Sequence, residues 1–457
     1  MFIDCSHLIK TNPAGLHYGV SVTDLNGDGV FEIFVCGFGF PNLLLRWDGD
    51  GLVNVAPEAL TDLRRQAIGA AAGDIDGDGR EELYILNTDT FAGRKRFTDR
   101  LFDRIDDEWT DLFSLPVNQD VLNLTAGRSV AAIDRHGIGR YGFFVASYGG
   151  PFRLYELDDD GLLYDAAAAA GVDRLAGGRS LLALPLITPH MDILAGNENG
   201  PNFLFRNNGD GTFLDVAEEM RINDPVEHAR GLAALDVNED GKFDVVCGNW
   251  EGYHRLFVQS ANGPFEDVTP VEMRIPTRVR TVIAADFDND GYEEIFFNNI
   301  GQSNRLFGRR EGLWRPIELG DALEPQGLGT GAAAGDFDGD GRLELLIAHG
   351  ESGLQALTFY RAAPNDHHWL RVLPLTPAGA PARGAVVTLE AGGRTQRRAI
   401  DAGSGYLCQM EPVAHFGLGH LTQIECVQVR WLDGAIVSID RPQADQLLCI
   451  QHPVGQS

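Results

Sequence analysis

One short loop, repeated, constrains this chain more than any other feature of its sequence. Asp24-Leu-Asn-Gly-Asp-Gly29, Asp74-Ile-Asp-Gly-Asp-Gly79, Asp236-Val-Asn-Glu-Asp-Gly241, Asp286-Phe-Asp-Asn-Asp-Gly291 and Asp336-Phe-Asp-Gly-Asp-Gly341 are near-copies of one another. Two altered copies, Asp134-Arg-His-Gly-Ile-Gly139 and a stretch from Pro185 that has lost the acids, fill the gap in the middle, so the loop starts are separated by 50, 60, 51, 51, 50 and 50 residues. A fixed period of this size marks a repeat architecture, in which each unit is a supersecondary piece that buries its apolar faces only against its neighbours.

Within a unit, a small-residue strand precedes the loop (69–73, 331–335) and an apolar strand follows it (83–86, 295–297). Two more strands come next, joined by a glycine hairpin, as in 202–206, Asn208-Gly-Asp-Gly211 and 212–216. Four strands per unit and seven units predict an all-β, seven-bladed β-propeller, with the small residues on the crowded innermost strands. The last unit runs out of strands after 354–361, but Phe2-Ile-Asp-Cys-Ser6 resembles the fourth strands Phe213-Leu-Asp-Val-Ala217 and Phe265-Glu-Asp-Val-Thr269. The propeller is therefore expected to span 1–361, with strand 2–6 closing the last blade and removing exposed sheet edges. Unit two carries ten extra residues within 91–121, read as a partly helical excursion over one face.

Acids or Asn at loop positions 1, 3 and 5, Gly at 6 and a further acid at 9 wrap a hard cation in oxygen. The candidate ligands are Asp24, Asn26, Asp28 and Glu32; Asp74, Asp76, Asp78 and Glu82; Asp236, Asn238, Asp240 and Asp244; Asp286, Asp288, Asp290 and Glu294; and Asp336, Asp338, Asp340 and Glu344. An EF-hand would need Glu at position 12, where Val35, Ile85, Cys247, Phe297 and Ile347 stand instead. Asp-Gly turns without metal are the plainer reading, but so many carboxylates in one turn repel each other strongly. About five structural Ca2+ ions are expected, calcium being preferred to magnesium because the protein supplies so many oxygens. The copies at Asp134 and Pro185 are expected to be metal-free.

The strand ends opposite the Asp loops form a second face. Six positions before each loop start stand Tyr18, Ile68, Arg128, Arg179, Arg230, Arg280 and Thr330. Five positions after each position-9 residue, or four in the copy at Pro185, come Gly37, Asn87, Ser147, Asn197, Asn249, Asn299 and His349. Arg128, Arg179, Arg230 and Arg280 thus converge on the channel mouth, either to hold an anion through their planar forks or to pair with acids such as Glu198 and Glu251. Asn87, Asn197, Asn249, Asn299 and His349 are candidate ligand contacts. His17 and His228 are weak acid–base candidates, and Tyr148, Trp250 and Tyr253 either wall a pocket or pack between blades.

From Asn365 the repeat stops, and alternating strands at 386–390, 396–400, 425–431 and 435–439 predict a small β-sandwich over 365–452. Its Gly403-Ser-Gly-Tyr406 turn reads as a hairpin. The Asp loops resemble the FG-GAP/VCBS repeats of integrin α-chain propellers. The tail, with Asn365-Asp-His-His-Trp-Leu-Arg371, Gly403-Ser-Gly-Tyr406, Phe416-Gly-Leu-Gly419 and Val427-Gln-Val-Arg-Trp431, resembles the ASPIC/UnbV domain. Together they are similar to the cartilage acidic protein family, bacterial members included. That resemblance implies a propeller with calcium sites and implies no reaction.

Lys and Arg number 37 against 66 Asp and Glu, a net charge of −29 that excludes general nucleic-acid binding. Five Ca2+ would leave about −19, so much of the acidity belongs to the loops. No apolar run is long enough for a membrane span. The six cysteines are scattered and read as reduced. Residues 1–6 carry no export signal, which reads as cytoplasmic, whereas calcium sites of ordinary affinity suit an extracellular or periplasmic setting. The first functional reading is a calcium-stabilised binding protein whose protein, glycan or anionic small-molecule ligand sits on the face opposite the loops. The alternative is a calcium-dependent biosynthetic enzyme, a cyclase or bond-forming catalyst, with its anionic substrate on the arginines and His17 or His228 moving a proton.

Overall fold

The computed structural model describes residues 1–456 except 107, 262 and 311. Residues 1–362 form antiparallel sheets in chain order, four-stranded except where the third and fourth units join into one eight-stranded sheet through Gly142–Pro151 and Leu175–Leu184. In the first, His17–Thr23, Glu32–Gly37, Leu43–Trp47 and Leu52–Asn54 lie side by side, and later units repeat this order. Gly329–Gly335, Glu344–His349 and Thr358–Ala362 are joined by Phe2–Asp4, with Phe2 opposite Ala362 and Asp4 opposite Tyr360.

Each unit's first strand touches the first strand of the next. His17–Thr23 meets Ala67–Gly73, which meets Gly127–Ile133, then Leu175–Leu184, Ala229–Leu235, Val279–Ala285 and Gly329–Gly335, which returns to His17–Thr23. Apolar second and third strands fill the space between units. Phe34 and Leu44 pack on Ala70, Ala72 and Leu83, while Val20 and Ile33 pack on Leu346 and Phe359 across the chain ends. The result is a propeller-like, all-β ring. The stretch 91–121 of unit two is no helical excursion: it holds that unit's ordinary third and fourth strands, Arg100–Ile105 and Glu108–Asp111. The added length lies in the long connection 88–99 before them and in the short 3-10 turns after them, Leu112–Ser114 and Pro116–Val121.

Residues 368–450 form a second body of two sheets around Leu370, Val387, Phe416, Val427 and Trp431. It docks on the Asp-loop side of the ring. Arg383 is fully buried against Glu81, and Arg371 donates to Asp336 Oδ2 at 2.9 Å. The Gly417 amide donates to Asp286 Oδ2 at 3.1 Å.

The turn at Gly403–Tyr406 is no surface hairpin. Residues 402–409 run along the ring axis and bond the inner edges of several first strands. Ala132 N donates to Ala402 O (2.8 Å), Leu232 N to Gly405 O (3.0 Å), and Gln409 N to Val20 O (3.0 Å). The Gln409 amide, fully buried, is held by Ala72 N (2.8 Å), Ala72 O (2.9 Å) and Ser21 Oγ (2.9 Å). Inner strands would otherwise leave backbone groups unpaired in a closed channel, and this segment satisfies them. It also explains the glycines there: a Cβ on Gly19 would sit 2.3 Å from Leu407 O. The six cysteines are free, and no helix among the described residues is long and apolar enough to cross a membrane.

Candidate functional site

The five acidic loops share one internal wiring. The position-1 carboxylate accepts from amides at the loop's turn, as Asp24 does from Gly27 (2.8 Å) and Gly29 (2.7 Å), and Asp286 from Gly291 (2.8 Å). The position-9 acid accepts from the position-2 amide: Glu82 from Ile75 (2.6 Å), Asp244 from Val237 (2.9 Å), Glu344 from Phe337 (2.8 Å). The remaining oxygens gather. Asp74, Asp76 and Asp78 form one cluster, Asp286, Asp288 and Asp290 another, and Asp336, Asp338 and Asp340 a third, with possible ligand atoms within 4.8 Å of one another. In the loops of Asp24 and Asp236, Asn26 and Asn238 take the third position and supply an amide oxygen instead.

Burial raises the affinity of these carboxylates for protons, and it outweighs the nearby guanidiniums of Arg46 at Glu32 and Arg371 at Asp336. Glu32, Asp74 and Asp244 are pushed up to about 7 by desolvation, and Asp336 to about 6 by the same cause. Glu294 Oε1 is buried with no hydrogen-bond partner. An all-oxygen donor set with an orphaned carboxylate oxygen fits a hard divalent cation, which would neutralise the charge that burial penalises.

Sequence reasoning missed Asp103, on the third strand of unit two, which joins Asp76 and Glu82 as a further candidate ligand. It lies outside the loop pattern, behind the insertion. At the same register position units one and seven carry Arg46 and Arg361. Arg46 pairs with Asp28 (2.6 Å) and Glu32 (3.3 Å), and Arg361 pairs with Asp338. Asp134, in an altered copy, is satisfied by the amides of Gly137, Ile138 and Gly139.

On the opposite face Arg128, Arg179, Arg230 and Arg280 line one cavity of about 280 Å3, together with Tyr18, Phe38, Phe91, Glu351 and Tyr406. Arg179, Arg230 and Arg280 are 3–5% exposed. Arg179 Nε and Arg230 Nη2 share the Glu198 carboxylate at 2.7 and 2.5 Å, and Arg280 pairs with Glu351. Burial opposes the Glu198 charge, yet the two guanidiniums hold its carboxyl down at about 2. Among the described residues Arg128 has no such acid, and it donates to the Thr90 and Phe91 carbonyls. Aromatic rings fix the guanidinium planes: Arg280 lies 4.1 Å from the Trp250 ring centre, Arg179 4.5 Å from Tyr148 and 4.9 Å from Phe91. Phe91 comes from the unit-two insertion. Tyr253 is exposed beside Arg255, and Glu251 pairs with Arg278, so neither reaches the cavity.

The other residues expected on this face do different work. The Asn197, Asn249 and Asn299 side chains each donate to the carbonyl four residues on, those of Pro201, Tyr253 and Ser303, and so hold the turn after the second strand. Asn87 is buried with its amide unpartnered, and His349 is bonded to Glu324 at 3.0 Å. None of these five lines the cavity. His17 is 4% exposed and held to about 4 by burial and by the neighbouring His349, so it is neutral and enclosed. His228 sits at the surface against the Glu198 carbonyl. A second cavity of about 130 Å3 at the seam includes Glu293 and Arg398, which pair at 3.2 Å across the two bodies, and it belongs to the docking interface.

Comparison with known proteins bears on both bodies. Residues 24–85, 189–247 and 236–297 match the FG-GAP-like repeat, and 376–457 match the ASPIC and UnbV family. Cartilage acidic protein 1 of Homo sapiens is 48% identical over 469 aligned positions, covering 94% of this chain and 70% of that protein. The Xenopus tropicalis protein of the same name is 46% identical over 486 positions, covering 97% and 75%. Among solved structures, BBS1N in complex with ARL6DN aligns with a TM-score of 0.47 at 13% identity, covering 80% of this chain and 97% of that one. Identity of 46–48% over 94–97% of this chain takes in both the acidic repeats and the tail, and this chain belongs to the cartilage acidic protein family.

Proposed function

We propose that this protein is a calcium-stabilised, seven-bladed propeller spanning 1–361, with an ASPIC/UnbV sandwich over 365–452, that binds an anionic ligand at the channel mouth on the face away from the metal loops. The observation that carries the reading is the ring of four arginines, three of them almost fully buried, around an open cavity. Buried guanidiniums with unfilled donors favour an anion over a neutral glycan, and a concave cavity favours a small molecule over a flat protein partner. Binding ranks ahead of catalysis because the described residues lining the cavity include no His or Cys, and His17 is sealed beneath the surface.

The test is a thermal-shift screen of the calcium-loaded protein against organic acids, phosphates and neutral oligosaccharides, with hits repeated on Arg230→Gln. Anionic hits whose affinity falls at least about tenfold in the variant are expected, in line with the loss of one charge-assisted hydrogen bond. Hits confined to neutral sugars and indifferent to Arg230 would refute the reading.

Calcium would be held by the loop oxygens and would supply the positive charge that pins each unit's first hairpin. The loops should differ in strength. Asp103 adds a carboxylate in unit two, whereas Arg46 competes for Asp28 and Glu32 in unit one. Calcium titration should therefore find the unit-two site weakened roughly tenfold by Asp103→Asn and the unit-one site strengthened by Arg46→Gln, since ligand charge sets affinity in such loops. Identical isotherms for the variants and the parent would contradict this assignment.

A further inference from the structure

The arginine cavity carries more positive charge than its own acids balance. Glu198 is shared by Arg179 and Arg230, and Glu351 serves Arg280. Asp89, the other acid in the wall, is paired with Arg96 at 2.6 Å. Arg128 donates to neutral acceptors, the Thr90 and Phe91 carbonyls. Among the described residues four guanidinium charges thus face two carboxylate charges, an excess of two. The same groups hold unfilled buried donors: Arg128 Nε, Arg230 Nε and Nη1, and Arg280 Nε have no hydrogen-bond partner. Ionised donors buried in this state are costly unless an acceptor arrives.

The geometry narrows what that acceptor is. Guanidinium forks match planar or tetrahedral oxyanions, which take two parallel N–H bonds, better than they match a halide. Stacking on Trp250, Tyr148 and Phe91 presets the forks, so little side-chain freedom is lost on binding. The cavity holds about 280 Å3, and the axial segment 402–409 occupies the channel beneath it, with Tyr406 in its wall and 5.7 Å from the Arg280 guanidinium.

We infer that the cavity takes a compact oxyanion carrying two negative charges, a dicarboxylate or a phosphate, and that the C-terminal sandwich completes this site by placing Tyr406 in its floor. The inference rests on the anion-binding reading above and adds to it the ligand's charge and the sandwich's part in the site.

The experiment is isothermal titration of the calcium-loaded full chain at pH 8 with succinate and inorganic phosphate, against monomethyl succinate and acetate. At least one dianion should bind ten times or more tighter than either monoanion. Arg128→Gln should cut that ratio about tenfold, and Glu351→Gln, which adds one net positive charge, should raise it. Tyr406→Ala should weaken both dianions. Monoanions binding as tightly as dianions, or a ratio unmoved by both charge variants, would overturn the two-charge assignment while leaving anion binding intact. Dianion affinity unchanged in Tyr406→Ala would remove the sandwich from the site. If none of the four probes binds but the broader screen still returns an Arg230-dependent anion, the compact dianion is wrong and the reading it rests on survives. Silence in both experiments sinks both.

Discussion

Stripping divalent cations with EDTA is expected to lower the melting temperature by more than about 10 °C. A site half-saturated at one hundredth of the free calcium concentration contributes about 2.7 kcal/mol to the folded state, and several such sites act on one cooperative ring. The pH dependence should then change sign with the metal. In the cation-free protein, Glu32, Asp74 and Asp244 titrate at about 7 because burial disfavours their charge, well above their unfolded values of roughly 4. A carboxyl raised in this way stabilises the fold while protonated, and that contribution is lost as pH rises through the folded value. Chelated protein should therefore melt higher at pH 5.5 than at pH 8. Calcium-loaded protein should show the opposite order, because acid competes with the metal for the same oxygens. Scanning fluorimetry at the two pH values, with and without EDTA, reads both effects. A chelated protein that melts with the parent, metal removal having been verified, would rule out a structural role for the loops.

What was legible in advance follows the range of the interactions involved. The Asp loops and their hairpins are local, each closed by bonds spanning a few residues, such as Gly29 N to Asp24 Oδ2, and local chemistry repeats visibly in sequence. The arginine register was legible for a related reason, since one fixed offset from a repeated loop brings equivalent residues to equivalent ends. The same offset argument misassigned the amides. Asn197, Asn249 and Asn299 recur because each holds the same turn, and a recurring structural need leaves the same trace as a recurring ligand contact. Partners that come from outside the period left no trace. Glu351 reaches Arg280 from 71 positions away, and Asp103 reaches Asp76 from behind an insertion. The axial segment was hidden most completely. Gln409 bonds Ser21 and Ala72 across more than 300 residues, and nothing in Gly403-Ser-Gly-Tyr406 distinguishes a plug for a channel from a surface hairpin.

That plug depends on how firmly the sandwich is seated, which makes Arg383→Met the variant with the largest expected cost. Arg383 is fully buried and makes two bonds to Glu81, with Nη2 to Glu81 Oε2 at 3.1 Å, while also donating to Val22 O (3.0 Å) and Asp401 O (2.8 Å). Glu81 is itself 3% exposed and accepts from Thr23 Oγ1 at 2.8 Å. Methionine fills much of the volume but leaves the Glu81 charge and two carbonyls unpaired in the seam, and breaking one side of a buried pair costs about 3–5 kcal/mol. Replacing both partners, as Glu81→Leu with Arg383→Met, should recover a large part of that loss, because the pair's own desolvation cost disappears with its attraction. Asp401, whose carbonyl Arg383 grips, directly precedes the axial segment, so the single variant should also expose 402–409 to proteolysis and weaken dianion binding through Tyr406. Melting curves of the two single variants and the double, with limited proteolysis in parallel, test this. A single Arg383→Met protein that melts within a degree of the parent and keeps its axial segment protected would mean that the seam is held by the Arg371 cluster and apolar packing alone.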